Sequence, residues 1–272
     1  MTLNAPKSTA VRCLVAAMVS LAAPALAQSP IARAEILHGW QAPDGRRMAA
    51  LRVQMQPGWH TYWRIPGEAG IAPVFDWSQS QNLESVALIW PAPEVFAQNG
   101  YVSFGYQDEL ILPLQITAAD PSRPVALMGA LQLGVCNDTC VPAEVSVSGA
   151  LRGAGAPDAR ISDALARRAE PAERAGLSLA TCRLEPGTRG AELTLRATLP
   201  QLGADEHLIL ELPGTGLRVS EQRSWREGDQ LVAQARVRAS GGATVSIDRT
   251  ELAFTILGEG RMIAARGCTG EN

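Results

Sequence analysis

The chain is short of nearly everything that would mark a nucleotide-, nucleic-acid- or zinc-dependent protein. It has three histidines, His38, His60 and His207, scattered along its length, and none stands at zinc-ligand spacing from cysteines or carboxylates. There is no glycine-rich phosphate loop and no Ser-His-Asp arrangement. No basic stripe runs through it and the formal net charge is −3, so nucleic acid is not an expected partner. Beyond the first residues no segment offers the roughly 18 consecutive apolar residues that a spanning helix needs. No cofactor is expected and no low-complexity tract is present.

Two features remain informative: the N-terminus and the cysteines. Lys7 and Arg12 form a weakly basic head, Cys13 to Leu26 is largely apolar, and Ala25-Leu26-Ala27 is a small-x-small cleavage site. Residues 1–27 therefore read as a secretory signal peptide, with Gln28 as the first mature residue and the periplasm as the expected destination. Cleavage would leave 22 basic and 27 acidic residues, a net charge of −5, and four cysteines: Cys136, Cys140, Cys182 and Cys268. An even number in an oxidising compartment implies disulfides, and four allow three pairings.

The remainder is patterned as strands. Leu51, Val53 and Met55 alternate with Arg52, Gln54 and Gln56. Further strand-like runs are Val86 to Trp90, Leu110 to Ile116, Val125 to Leu133 and Val141 to Val147, punctuated by Pro57-Gly58, Pro66-Gly67 and Gln98-Asn99-Gly100. Residues 152–178 break the pattern with Gly153, Gly155 and Pro157, then a short helical piece at about 159–169. Alternation returns from Leu179, with Leu193, Leu195 and Ala197, then Leu208 to Leu212, Val232 to Val237, and a hairpin about Gly258-Glu259-Gly260. The expected fold is all-β: two β-sandwich domains, 28–151 and 179–272, joined by a short, partly helical linker, 152–178.

Cys136 and Cys140 flank Asn137-Asp138-Thr139. Along a continuous strand, residues four apart are roughly 13 Å apart, beyond disulfide reach. A three-residue hairpin loop, suited to Asn and Asp, brings the flanking positions to about 4.5–5.5 Å between Cα atoms. On chain entropy a five-residue ring stabilises by only about 2 kcal/mol, against about 4.6 for the ring from Cys182 to Cys268. The long ring reads as a structural bond. The short one is a poor staple, and at a loop tip it is open to an incoming thiolate. An inert hairpin clip is the alternative. Nothing basic flanks the pair and no helix N-terminus adjoins it, so a low-pKa attacking cysteine is not expected. The pattern fits a disulfide that a partner reduces and a dithiol that passes the electrons on.

The segment Gly58-Trp59-His60-Thr61-Tyr62-Trp63-Arg64 is read as continuing the strand begun at Leu51. Trp59 and Trp63 then face the core, while His60 and Tyr62 share the polar face with Arg52 and Gln54, as rim residues or as support for the cysteines. Phe96, in Pro93-Glu94-Val95-Phe96-Ala97-Gln98-Asn99-Gly100, is read as a loop residue able to cover a reactive disulfide.

Four stretches, in order and spacing, resemble a known family: Gly58 to Arg64, Trp90-Pro91-Ala92-Pro93-Glu94-Val95-Phe96, Gly105-Tyr106-Gln107-Asp108-Glu109-Leu110, and Leu133-Gly134-Val135-Cys136 with Cys140-Val141-Pro142. From about His38 to Ala150 the chain resembles the N-terminal periplasmic domain of the thiol:disulfide interchange protein DsbD, and more closely the corresponding part of copper-sensitivity suppressor (ScsB-type) proteins. The resemblance implies an immunoglobulin-like sandwich taking electrons from a membrane thiol reductase through a thioredoxin-like domain and giving them to periplasmic disulfide-containing proteins. It makes Cys136 and Cys140 the redox pair, puts Phe96 at the cap of the site, and sets His60 and Tyr62 beside the cysteines. This chain has three residues between its cysteines where the DsbD domain has five. It lacks the membrane and thioredoxin-like portions, and its second domain has no counterpart in DsbD. Two other functions are open on the residues: Cu(I) binding by Cys136, Cys140 and His60, and a purely structural or adaptor role.

Overall fold

The computed structural model describes residues 1–2, 30–98, 100–188 and 190–271. Cys13 and all of the expected signal peptide but its first two residues lie outside the described residues. Among these, strands dominate. In chain order they are β1 (Ala32–Gln41), β2 (Arg47–Met55), β3 (His60–Gly67), β4 (Val74–Asp76), β5 (Leu83–Leu88), β6 (Glu94–Gln98), β7 (Tyr101–Gln107), β8 (Glu109–Ala118), β9 (Val125–Cys136) and β10 (Cys140–Leu151). The helix α1 (Ala159–Ala166) follows. The later strands are β11 (Glu170–Pro171), β12 (Leu179–Gly187), β13 (Gly190–Thr198), β14 (His207–Glu211), β15 (Arg218–Glu227), β16 (Gln230–Arg238), β17 (Ala253–Gly258), β18 (Arg261–Arg266) and β19 (Thr269–Gly270).

The first sandwich pairs a sheet of order β1-β2-β8-β5 with one of order β10-β9-β3-β7-β6, on which β4 adds to β9. Alternation explains the packing. Leu51, Val53, Leu110, Leu112, Leu114 and Ile116 of one sheet meet Trp63, Phe104, Leu131, Leu133 and Val135 of the other in a single core. Fully burying each such side chain contributes about 1.5–3 kcal/mol. Ala50 and Ile111 point the other way, yet they too are buried, because α1 lays Ile161 and Ala164 over them. Asp158 caps that helix by accepting from the Arg160 N–H at 2.9 Å. The segment between the sandwiches therefore does more than connect. It covers one sheet of the first sandwich, and its β11 pairs in parallel with β18 of the second.

The second sandwich stacks sheets of order β11-β18-β17-β14 and β15-β16-β13-β12-β19 over Leu193, Leu195, Leu210, Phe254 and Ile256. A disulfide joins Cys182, on β12, to Cys268, just before β19, with 5.7 Å between Cα atoms. The whole of Ile31–Asn272 forms one compact unit. Side chains bridge the sandwiches directly: Arg64 is ion-paired with Glu211 and donates to Thr255 Oγ1 at 3.1 Å, and the Phe104 ring meets His207 edge-on at 5.4 Å.

Two strand readings require correction. The run from Leu51 does not continue through Arg64: β2 ends at Met55 and β3 starts at His60. Gly58 takes a positive φ (79°) between them, which only glycine adopts freely. Phe96 is not a loop residue. It lies on β6, paired with Ser103 of β7.

Candidate functional site

The β9–β10 hairpin places the two cysteines opposite each other. Cys136 and Cys140 are its last cross-strand pair, followed only by Asn137-Asp138-Thr139, whose turn closes with Asn137 N–H donating to Thr139 O at 3.2 Å. The Cα atoms are 4.1 Å apart and the sulfurs are bonded. The two halves of this disulfide differ in access. Cys136 is 1% exposed, whereas Cys140 is solvent-exposed.

Cross-strand register fixes what shares their face. His60 of β3 is opposite Cys136, and on its other side opposite Gln107 of β7. Tyr62, two residues on, points the same way. Instead of lying on an open polar face, it is 3% exposed. Its hydroxyl donates to Cys136 Sγ at 2.9 Å and sits 3.4 Å from Cys140 Sγ. Glycines make the room. A Cβ on Gly134 would lie 2.7 Å from Ile71 Cβ and 3.2 Å from the Tyr62 ring, and one on Gly70 would lie 2.7 Å from Tyr62 Cδ1. Burial raises the Tyr62 pKa, so the phenol stays a protonated donor at neutral pH.

His60 meets Tyr62 edge-on at 5.3 Å and stacks on Phe96 at 4.6 Å. Burial lowers its pKa, which favours the neutral ring. Cys136, Cys140, Tyr62, His60 and Phe96 therefore gather in one place, with Phe96 in contact through His60. Among the described residues no group of three His, Cys, Asp or Glu side chains is arranged to hold a metal, although His60 is opposite Cys136 in the ladder. Cys182 and Cys268 are not part of this cluster: Cys182 is buried in the second core.

Gly134, Gly70 and Asp108 were not legible as site residues. Asp108, at φ 60°, accepts from the Gly58 N–H at 2.6 Å through its side chain, and its own N–H donates to Trp59 O at 2.8 Å. It thereby pins the turn that starts β3 and aims His60 and Tyr62. The tolerance of Asp for left-handed backbone is the one local signal that pointed to it.

The chemistry of the arrangement is directional. A thiolate reaching Cys140 from solvent attacks a sulfur whose partner, Cys136, is the leaving group, and the leaving sulfur is the one that already accepts a hydrogen bond. Donation to a developing thiolate is charge-assisted, about twice as strong as a neutral bond.

Residues 30–151 match the family described as thiol:disulfide interchange protein DsbD, N-terminal. Among solved structures, the N-terminal periplasmic domain of ScsB from Proteus mirabilis superposes with a TM-score of 0.63 at 24% identity, covering 89% of this chain and 92% of that one. That coverage extends well past residue 151, so the shared fold includes the second sandwich. No curated protein matches the chain.

Proposed function

Residues 30–151 belong to the DsbD N-terminal family, and from that premise we propose that the chain is a periplasmic thiol–disulfide exchange protein that relays electrons through Cys136 and Cys140. Residues 28–151 form the redox domain in this reading, and 179–272 a second sandwich. The observation that carries it is the asymmetric disulfide at the hairpin tip: one sulfur open to solvent, the other buried against the Tyr62 hydroxyl.

A partner thiolate attacks Cys140 Sγ, forming a partner–Cys140 disulfide and breaking the Cys136–Cys140 bond. Cys136 leaves with the electron pair, stabilised by the Tyr62 hydroxyl, and takes a proton. The partner's second thiolate then attacks its own mixed-disulfide sulfur, and Cys140 leaves. The partner has become a disulfide and this protein a dithiol, two electrons and two protons richer. The reverse sequence, started by the Cys140 thiolate on a client disulfide, delivers them. The upstream donor is a membrane thiol reductase or its thioredoxin-like domain, and the recipients are periplasmic disulfide proteins.

Trapping tests this. Cys136→Ser, with Cys140 free and nothing to resolve it, should accumulate a mixed disulfide with an oxidised thioredoxin-like protein. Cys140→Ser should trap little, because Cys136 is buried. If neither variant traps a partner, the exchange reading fails.

A further inference from the structure

The site is one corner of a broader sheet face. Register places Cys140, Pro142, Glu144 and Ser146 of β10, Met128, Ala130, Gln132 and Cys136 of β9, and Val74 and Asp76 of β4 on the same side. Glu94 and Phe96 of β6 share it, since Glu94 is opposite Gly105 and Gly105 is opposite Tyr62. Three large apolar side chains lie open there or beside it: Ile71 (46% exposed), Val74 (55%) and Met128 (44%). Every charge at the β4, β6, β9 and β10 positions of this face is negative. Asp76, Glu94 and Glu144 are exposed on it, and Asp138 stands at the hairpin tip between the cysteines. Hydrogen bonds from Ser78 lower the Asp76 pKa and keep it ionised.

Over the first sandwich, residues 30–151, eleven carboxylates face six arginines, and four of those arginines, Arg33, Arg46, Arg47 and Arg52, precede residue 53. Between residues 53 and 151 there are nine carboxylates and two arginines, Arg64 and Arg123, whereas residues 152–272 hold sixteen of each sign. Of the two arginines, Arg64 is tied to Glu211 of the second sandwich. Asp76, Glu94, Asp138 and Glu144 form no ion pair among the described residues, whereas the second sandwich carries many. Arg64 follows Tyr62 by two on β3, which sets it on this side of the sheet, but its charge is taken up by Glu211.

We propose that this face is the docking surface for the redox partner, and that the partner presents its reactive cysteine within an apolar patch rimmed by basic residues. The inference rests on the exchange reading and adds to it the chemistry of the partner. A reactive disulfide beside exposed apolar side chains calls for a protein occupant, because small thiols need no such patch. The carboxylates select the sign. Glu144 is four strand residues from Cys140, roughly 13 Å away, just past the Debye length of about 10 Å at 0.1 M salt and well inside the 30 Å at 0.01 M. Steering of this kind raises association rates by about 10- to 1,000-fold and falls steeply with ionic strength. A second copy is a poor occupant, since the same face would set like charges together.

Three cysteine peptides of equal length test this, their cysteine flanked by arginine, by serine or by glutamate. Each is mixed with the full oxidised protein and opening of Cys136–Cys140 is followed with time. Every rate is divided by that of the same peptide on the uncharged hydroxyethyl disulfide, which removes the effect of flanking charge on the thiol itself. At low salt the arginine peptide should react at least about tenfold faster than the glutamate peptide, and the ratio should fall towards one as salt is raised. The variant carrying Asp76→Asn, Glu94→Gln, Asp138→Asn and Glu144→Gln should lose most of the preference, its normalised arginine- and glutamate-peptide rates converging while the disulfide still opens. Equal normalised rates for arginine and glutamate peptides on the native protein, at low salt, overturn the docking proposal and leave exchange intact. Failure of all three peptides to open the disulfide overturns the exchange reading itself.

Discussion

Tyr62→Phe isolates one atom of the site. The ring keeps its cage of Gly70, Ile71 and Gly134, so packing is preserved, and only the hydroxyl 2.9 Å from Cys136 Sγ is removed. In the oxidised protein the loss is a neutral hydrogen bond to a disulfide sulfur, at most about 1 kcal/mol of stability. In the reduced protein the same donor faces a thiolate. A hydrogen bond to a charged group is worth about 1.5–3 kcal/mol, and each pKa unit corresponds to about 1.4 kcal/mol. Cys136 is 1% exposed, so water does not readily replace the lost donor. The Cys136 pKa should therefore rise by roughly 1–2 units. The assay is a pH titration of ultraviolet thiolate absorbance in a Cys140→Ser background, with and without Tyr62→Phe. Reduction of the disulfide by a neutral thiol should slow in parallel, since the leaving group has worsened. An unchanged Cys136 pKa would refute the assignment of the hydroxyl to the leaving sulfur.

Other expectations follow from the same geometry. Phe96→Ala removes the ring stacked on His60 and should speed reduction of Cys136–Cys140 by a small thiol severalfold, read by alkylation time courses; an unchanged rate would leave Phe96 without a covering role. Cys182→Ser opens the long ring and should cost about 2–5 kcal/mol in denaturant unfolding, with the hairpin disulfide still reducible. Glu211→Ala strands Arg64 at the junction of the sandwiches and should cost about 1–3 kcal/mol, seen as a lower unfolding midpoint. His60 and His207 both have pKa values lowered by burial, so the unfolded chain binds more protons than the native one near and below pH about 6.5. Their contribution to stability is present above that pH and is lost as the pH falls through the lowered native values. His207→Gln should flatten this acid limb in unfolding titrations.

The sequence carried the hairpin because its geometry is local: two cysteines, three turn-forming residues and the alternation on either side determine one another. The same local logic misplaced Tyr62. Extending one strand across Pro57-Gly58 put the ring on an open face, whereas its burial depends on Gly70, Ile71 and Gly134, residues brought together only by the sheet. Phe96 was misread because β6 is five residues long and sits among turn formers, and it is a strand through its pairing with β7. The bond from Arg64 to Glu211 crosses between sandwiches, and no periodicity records such a contact.

The reduction potential of each disulfide, measured by equilibrating the whole protein with thiol–disulfide buffers, bears most directly on the account. Cys136–Cys140 should equilibrate reversibly above about −300 mV, in the range of working redox proteins, while Cys182–Cys268 stays oxidised below it. A hairpin disulfide that resists reduction as stubbornly as the long-ring bond would contradict electron carriage and leave an inert clip.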